Sequence, residues 1–219
     1  MSSSFRNTPR PFRPSVSRRI GKVVSVDANY TITANIAGTS VAGVKYFGSY
    51  PPKPGSLVWL DGDGSDILAV GAVAGSGGAV PAGRMEKSTN QDAPIALTRI
   101  TFATTIFDPW TMYDGVNDQW SIPVKGVYHI SAGLVTSANA DNNSRTVEIV
   151  AAGGIVAATR IWHSSGYQDF LPLSTITRLD RNDKVYLQAA QGSAATITGG
   201  IIGANPRTFF SITYLGADA

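Results

Sequence analysis

The side chains that could perform chemistry in this sequence are few and widely spaced. His129 and His163 are the two imidazoles available as general bases, and the chain contains no cysteine. Nucleophilic catalysis needs a base next to an activated hydroxyl, and His163 precedes Ser164 and Ser165 without a nucleophile-elbow motif. The sequence also lacks a phosphate-binding loop, a dinucleotide fingerprint and the spacing of a zinc site. These patterns predict a protein that is not an enzyme and that holds no cofactor.

Three aspartates with glycines between them form a pattern that suggests a hard cation. Asp61, Asp63 and Asp66 lie close together in the sequence, and carboxylates at short spacing are typical ligands of Ca²⁺. An EF-hand loop is closed by a glutamate, whereas here an apolar segment typical of a strand follows at once. The pattern therefore favours a solvated hairpin, and no metal site is predicted.

Composition indicates the type of element that the chain forms. Gly, Pro, Ser, Thr and β-branched residues are abundant, whereas glutamate occurs only at Glu86 and Glu148, so helix formers for exposed faces are scarce. No apolar run approaches the ~20 residues of a membrane-spanning helix, and residues 1–22 lack the apolar segment of a secretory signal. We therefore predict an all-β protein without membrane insertion and without export by a signal peptide.

Positive charge is concentrated near the beginning of the chain. Six of the eighteen basic residues precede the first acidic residue, Asp27, which leaves twelve basic and fifteen acidic residues downstream. Residues 1–19 also carry three prolines and little apolar surface, a composition that does not fold alone. We interpret them as a flexible basic arm that docks on an acidic neighbour or orders against other subunits, through Arg6, Arg10, Arg13, Arg18 and Arg19. Beyond Phe5 and Phe12 the arm lacks stacking aromatics, so no nucleic-acid site is predicted.

Residues 20–74 alternate short apolar runs with turn residues. Five strands are predicted, at residues 21–26, 31–36, 40–46, 56–60 and 66–73. Five strands over this length are typical of a small barrel of the oligonucleotide/oligosaccharide-binding (OB) type. The segments Pro52–Leu60 and Asp66–Gly71 resemble the barrel domains of tail-tip and baseplate proteins of tailed bacteriophages. Residues 75–84, rich in Gly, Ala and Pro, are predicted to be a linker.

Residues 85–219 carry longer alternating segments. From Trp120 to Gly133, a turn leads into a strand whose apolar residues fall on nearly every second position. This phrase resembles the central strands of the globular head of the first complement component and of tumour-necrosis-factor-like jelly rolls. Further resemblance lies in Met112–Asp114, Leu179–Leu187 and Thr208–Gly216. Asn182 stands where that family has a glycine, and asparagine also tolerates a positive φ. The resemblance implies a ten-stranded jelly-roll sandwich that assembles as a homotrimer.

Two groups of residues are candidates for assembly and recognition. The sandwich has more large aromatics than we expect one thin core to hide, so some are predicted to form the trimer interface: Phe209, Phe210, Tyr214 and Tyr128. In an up-and-down course, four connections gather at the end opposite the termini: Pro109–Gln119, Ser137–Asn143, His163–Gln168 and Gln191–Thr208. The predicted surface contacts in these distal loops are Trp110, Tyr113, Asn139, Asp141, Asn142, Asn143, Trp162, His163 and Tyr167. Flat amphipathic rings beside polar groups suit a carbohydrate or another cell-envelope polymer.

These patterns lead to a hypothesis of function in which the virus assignment rests on resemblance. The chain is expected to be a structural virion protein of a tailed bacteriophage, a minor tail or tail-tip component whose trimeric head attaches to host-surface carbohydrate. Its partners would be other tail or capsid proteins, and it would be made in the host cytoplasm. One alternative is a capsid decoration or head-fibre protein held by the basic arm. Another is a bacterial carbohydrate-binding adhesin, against which the missing export signal argues.

Overall fold

The computed structural model describes residues 18–27, 29–46, 51–62, 67–73, 80–93, 95–137, 144–162, 168–192, 195–197 and 208–217. Every regular element among these residues is a β-strand, which confirms the all-β prediction. The strands build a closed five-stranded barrel and, after it in the chain, a sandwich of two sheets. The described residues include no helix with the length and hydropathy that a membrane span needs.

The barrel forms from five strands whose side chains alternate between its interior and its surface. They are β1 (Arg19–Val26), β2 (Thr31–Ile36), β3 (Thr39–Tyr46), β4 (Leu57–Asp61) and β5 (Leu68–Ala72). Neighbours pair in the order β1-β2-β3-β5-β4, and β4 pairs with β1 to close the ring. The interior is largely aliphatic, with Val23, Ile32, Ala34, Val58 and Leu60, and β3 ends on the buried Tyr46. Each predicted strand is confirmed to within two residues at either end.

The turn between β2 and β3 shows why the sequence forms a hairpin there. Ala37 and Gly38 both have a positive φ, 50° and 91°, as a two-residue turn of type I′ requires. The amide of Gly38 donates to the side-chain oxygen of Asn35 over 2.9 Å, which satisfies a turn donor. The hairpin therefore sets the register of the first barrel strands.

The sandwich contains thirteen strands among the described residues. In chain order they are β6 (Ala82–Glu86), β7 (Gln91–Ala93), β8 (Thr98–Arg99), β9 (Thr104–Phe107), β10 (Tyr113–Asp114), β11 (Gln119–Ser121), β12 (Gly126–Thr136), β13 (Ser144–Ala151), β14 (Gly154–Trp162), β15 (Asp169–Leu179), β16 (Lys184–Gln191), β17 (Ala195–Ile197) and β18 (Phe209–Gly216). The resemblance implies ten strands, and the count is higher here because it includes five strands of two or three residues, β7, β8, β10, β11 and β17.

The long strands pass back and forth between two antiparallel sheets. In sheet I, β12 lies between β15 and β18, and β6 follows on the far side of β18. In sheet II, β16 lies between β11 and β13, and β14 forms the edge. The chain therefore crosses from sheet I to sheet II after β12 and returns after β14, which is a jelly-roll arrangement and agrees with the predicted fold class.

Large aromatic residues fill the core between the two sheets. The Phe210 ring centroid lies 6.1 Å from that of Trp120 and 5.9 Å from that of Phe102. Gly83 of β6 leaves room for the indole, because a Cβ at this position would lie 2.6 Å from Trp120 ring atoms. The core of one chain therefore accommodates these rings.

Charged groups are also buried in the sandwich. Among the described residues, three charged side chains are buried, Lys87, Arg145 and Glu148, and all three belong to the sandwich. The Lys87 ammonium donates to the side-chain oxygen of Gln91 and to the backbone carbonyl of Thr101, each over 2.9 Å. Burial lowers the pKa of Lys87 to about 8, and the charge of Asp118 opposes this shift.

The barrel lies against the end of the sandwich that carries its tight turns. Tyr30 and Tyr46 of the barrel share a cavity wall with Val124 and Arg181 of the sandwich, and the Lys53 ammonium donates to the backbone carbonyl of Pro109. We call this the junction end and the opposite end of the sandwich the distal end. Arg181 belongs to the turn between β15 and β16, which also holds Asn182. The φ of Asn182 is 71°, as expected of an asparagine in place of glycine.

The end of the predicted linker belongs to sheet I. β6 begins at Ala82, and the Tyr214 amide donates to the Pro81 carbonyl over 2.8 Å. Residues 74–79 lie outside the described residues. The division into an arm, a barrel domain, a linker and a sandwich domain stays a prediction.

Candidate functional site

Five strand ends form the distal end of the sandwich. Thr136 at the end of β12 pairs with Asp169 at the start of β15, and Ser144 at the start of β13 pairs with Trp162 at the end of β14. Gln191, which ends β16, lies opposite the second residue of β13. The connections after β12, β14 and β16 therefore leave from this end, which agrees with the prediction. The predicted contacts within them that lie outside the described residues are Asn139, Asp141, Asn142, Asn143, His163 and Tyr167.

A buried arginine holds three of these strand ends together. Arg145 of β13 is 2% exposed, and its guanidinium donates to the Asp169 carboxylate over 2.6 Å. It also donates to the Thr136 hydroxyl and, over 3.0 Å, to the Ser137 carbonyl. Burial lowers the pKa of Arg145, whereas the charge of Asp169 raises it. Arg145 therefore ties β12, β13 and β15 together beneath the distal surface.

The sequence reasoning missed Arg145, although a signal was present. Arg145, Val147 and Ile149 lie at alternate positions of β13, and the two aliphatic residues are buried. An arginine in line with inward-facing residues needs a buried acceptor. The spacing alone does not identify Asp169 as that acceptor, because the two residues belong to different strands of different sheets.

Trp162 is the most exposed aromatic side chain in the described part of the chain. It ends the edge strand β14, and 75% of its surface is exposed. The Arg160 guanidinium lies 5.8 Å from the centroid of its ring and donates to the Ser144 hydroxyl over 2.8 Å. Since strand side chains alternate, Trp162 and Arg160 lie on one face, together with their register partners Ser144 and Thr146. This face is the outer surface of sheet II.

A shallow cavity lies beside this tryptophan. Its volume is about 260 Å³, and its wall includes Arg160, Ser144, Thr146, Gln191 and Gly192. Hydroxyl and guanidinium groups thus line a concave surface near an exposed indole. Such a combination can hold a polar ligand that also offers a flat apolar face. We call Trp162, Arg160 and this wall the distal platform.

The structure corrects the placement of Trp110 and Tyr113. Trp110 is 9% exposed and lies at the junction end, next to the Pro109 carbonyl that Lys53 contacts. The Tyr113 hydroxyl donates to Asp118 over 2.9 Å, and burial, followed by this bond, raises its pKa. The prediction that Trp110 and Tyr113 lie at the distal end is therefore wrong. The physical reason is Asp108, whose carboxylate accepts from the Met112 and Tyr113 amides and holds the chain back.

Three of the four predicted interface aromatics are core residues. Phe210, Tyr128 and Tyr214 are buried within a single chain, and the Tyr128 hydroxyl donates to the Val124 carbonyl over 2.6 Å. Their side chains present no surface to a second copy, so this part of the prediction is wrong. Phe209 differs because it is half-buried on the outer face of sheet I, where the Arg84 guanidinium lies 4.3 Å from its ring centroid.

The arm and the aspartate cluster lie largely outside the described residues. Arg18 forms an ion pair with Asp61 at 3.3 Å, and Arg19 begins β1. Arg6, Arg10, Arg13, Asp63 and Asp66 are not among the described residues. Where the structure does describe the chain, it brings together no group of three His, Asp or Glu side chains that could hold a metal ion.

Comparisons with known proteins add one finding. No protein-family model and no curated protein sequence matches the chain. The solved globular domain of zebrafish complement 1qA protein is similar to this chain at 15% sequence identity and a TM-score of 0.45. The match covers 61% of this chain and 93% of that one. A likeness at this level carries no argument about binding or assembly.

Proposed function

We propose that the chain is a non-enzymatic attachment protein whose distal platform binds carbohydrate of a cell envelope. The observation that carries the proposal is the exposure of Trp162 at the end of a rigid strand. An indole exposed to this extent contributes little to the core, whereas stacked on the apolar face of a sugar ring it loses contact with water. The polar groups beside it can then accept and donate hydrogen bonds to sugar hydroxyls.

The support beneath Trp162 favours binding. β14 pairs with β13 along its whole length, and β13 is held by the buried Arg145–Asp169 ion pair at 2.6 Å. A contact residue on a rigid element loses less conformational entropy on binding than one on a flexible loop. The distal platform is therefore positioned before its ligand arrives.

We propose further that the sandwich assembles as a homotrimer through the outer face of sheet I. Phe170 and Phe209 flank Gly133 so closely that a Cβ there would lie 2.5 Å and 2.6 Å from their rings. Phe170 is 42% exposed and Ile176, on the same strand, is 65% exposed. A flat face with exposed aromatic and aliphatic groups is suited to a subunit interface. Three copies would present three distal platforms and gain avidity.

In the wider setting, we propose a structural role in the virion of a tailed bacteriophage, at the tail or tail tip. The resemblance of the barrel segments to phage tail barrels supports this role, as does the closed barrel with its parallel pairing of β3 and β5, which fits the OB type. The cluster of arginines before β1 favours a second candidate, a capsid decoration or head-fibre protein anchored by that arm. Antibody labelling of purified particles distinguishes the two candidates, because the label would decorate either the tail or the shell.

The binding proposal is tested with the full chain on immobilised bacterial envelope polysaccharides. We expect retention of the wild type on at least one polymer and a loss of at least about tenfold in affinity for Trp162→Ala. Trp59→Ala is the matched control, since Trp59 is also exposed, at 37%, but belongs to the barrel. Sedimentation of both variants checks that the oligomeric state is unchanged. Equal binding by Trp162→Ala and the wild type contradicts the proposal.

A further inference from the structure

A second cavity lies at the junction end, between the barrel and the sandwich. Its volume is about 400 Å³, within the range of sites for small ligands. The barrel contributes Val24 and Lys53 to its wall, and the sandwich contributes Trp110, Ser121, Arg181 and Asn182. We call it the junction cleft. It is far from the distal platform, because the tight turns of the sandwich border it and the strand ends near Trp162 do not.

The junction cleft is positively charged within a body that is slightly acidic. Lys53 and Arg181 are the charged residues among its described lining residues, and no Asp or Glu belongs to that part of the wall. Arg181 forms no ion pair with any carboxylate that the structure describes. Arg181 also lines a neighbouring cavity with Asp27 and Asp180 but forms no ion pair with either, so it and Lys53 can attract an anion.

The carboxylates next to Arg181 in the sequence, and Asp27, which lines a neighbouring cavity with it, have other partners. Asp180 forms an ion pair with Lys125 at 3.0 Å, and the Asp183 carboxylate accepts from the Asp180 amide over 2.8 Å. Asp27 accepts from the hydroxyls of Ser25 and Thr33, over 2.8 Å and 2.9 Å. These bonds hold the acidic groups in their own turns, so the guanidinium of Arg181 keeps its capacity for a bidentate bond to a ligand.

The other residues of the wall indicate what kind of ligand carries the anionic group. Trp110, which is 9% exposed, offers a small part of its indole, and Pro123 adds apolar surface. Ser121 and Asn182 add a hydroxyl and an amide, and the Ser121 hydroxyl already accepts from Lys184 over 2.7 Å, which leaves its proton to donate. A compact ring that bears several hydroxyls and one carboxylate matches this set of groups.

We propose that the junction cleft binds an acidic monosaccharide unit, a sugar ring with a carboxylate. Its carboxylate lies between Arg181 and Lys53, with the guanidinium bonding both oxygens. The apolar face of the ring packs on Pro123 and on the accessible part of Trp110, and Asn182 and Ser121 bond its hydroxyls. The site is separate from the distal platform, so its existence does not depend on the proposed attachment function.

Ligand-observed NMR titration of the full chain tests this proposal at low ionic strength. The probes are galacturonate, which has both the hydroxylated ring and the carboxylate, galactose, which has only the ring, and acetate, which has only the carboxylate. We expect galacturonate to bind with a Kd of the order of 1 mM and the other two to bind at least about tenfold more weakly. Added salt is expected to weaken galacturonate binding, because the attraction is partly electrostatic.

Variants locate the site. Arg181→Gln is expected to weaken galacturonate binding at least about tenfold, and Arg181→Lys is expected to restore part of it, because a lysine keeps the charge but not the bidentate geometry. Lys45→Gln removes an exposed cation of β3 that does not line the cleft and should have no effect. Trp162→Ala should also leave the Kd unchanged, which separates this site from the distal platform.

Three results would overturn the proposal. The first is absence of galacturonate binding by the wild type, and the second is equal affinity for galactose, which would remove the role of the carboxylate. The third is an unchanged Kd in Arg181→Gln, which would place the binding elsewhere. Arg181 is exposed in a turn, so its substitution is expected to leave the fold intact, and the thermal midpoint of the variant checks this.

Discussion

The barrel and the sandwich are both closed β structures, but their interiors differ in chemistry. The barrel interior is aliphatic except for Tyr46 at the end of β3, whereas the sandwich buries three charged side chains and its largest aromatic rings. The stability of an aliphatic interior depends on apolar side chains that fill its volume at alternate positions. Aliphatic residues of similar volume can therefore replace one another at little cost. A buried charge depends on specific partners, and its loss leaves those partners without compensation. The sandwich should therefore respond more sharply than the barrel to single substitutions.

The largest effect on stability is expected from Arg145→Ala. This change removes the guanidinium that bonds the Asp169 carboxylate and the Ser137 carbonyl, so the free energy of unfolding should fall by about 3–5 kcal/mol. Urea denaturation of the full chain, followed by tryptophan fluorescence, measures it. Arg178→Ala is the control, because Arg178 lies exposed on β15, and its effect should stay within about 0.5 kcal/mol. Similar effects of the two changes would show that the ion pair does not hold the distal strands.

A pair of glycine substitutions compares the two regions directly. In Gly83→Ala, the new Cβ lies 2.6 Å from the buried Trp120 ring, so the sandwich must shift at a cost of about 1–3 kcal/mol. In Gly71→Ala, no atom lies within 4 Å of the new Cβ in β5 of the barrel. This change should be neutral or stabilise by up to about 1 kcal/mol. The same denaturation experiment checks both, and equal losses would remove the contrast between the regions.

Buried titratable groups of the sandwich should give stability an alkaline maximum. The pKa of Lys87 falls from 10.5 to about 8 on folding, because burial disfavours its charged form. The fold is therefore most stable with respect to this group above pH 10.5, and the free energy of unfolding decreases as pH falls from 10.5 through 8. Burial raises the pKa of Tyr214 from 10.0 to about 12. The free energy of unfolding is therefore highest with respect to this group below pH 10 and decreases as pH rises from 10 towards 12. The two effects together place the maximum near pH 10.

Urea midpoints measured between about pH 7 and pH 12 test this maximum. Lys87→Met should abolish the rise below pH 10 and leave the fall above it, since the tyrosines are unchanged. A wild-type profile that is flat from pH 7 to pH 10, or a Lys87→Met profile that still rises, would show that the buried ammonium does not control stability there.

The smallest expected effect on stability is that of Trp162→Ala. The indole is mostly exposed, so the free energy of unfolding should change by no more than about 0.5 kcal/mol. A loss above about 2 kcal/mol would assign Trp162 to the core of the sandwich and remove the main support for the distal platform.

How much of the fold could be predicted depends on the same difference between the regions. Alternation and turn residues predicted the barrel strands to within two residues because an aliphatic interior needs little else. In the sandwich, Phe210, Tyr128 and Tyr214 were expected at an interface because the number of aromatics suggested an excess. Their burial in one chain shows that composition does not measure how many rings a core accommodates.

The candidate site was predictable only in part. Trp162 was predicted because it is an amphipathic aromatic beside the polar connection His163–Gln168, and its exposure agrees. Trp110 was placed at the wrong end because its position depends on Asp108, whose carboxylate bonds the amides of Met112 and Tyr113. The junction cleft could not be predicted, because it requires the relative position of the barrel and the sandwich, which no local pattern records.

Binding to isolated envelope polysaccharide tests the central claim, that the exposed tryptophan of the distal platform is a contact for sugar. The measurement compares the wild type, Trp162→Ala and Trp59→Ala as full chains at equal subunit concentration on the same immobilised polymers. We expect the wild type and Trp59→Ala to be retained equally and Trp162→Ala to be lost, with all three sedimenting alike. Retention of Trp162→Ala at wild-type affinity, or failure of the wild type to bind any polymer, would contradict it.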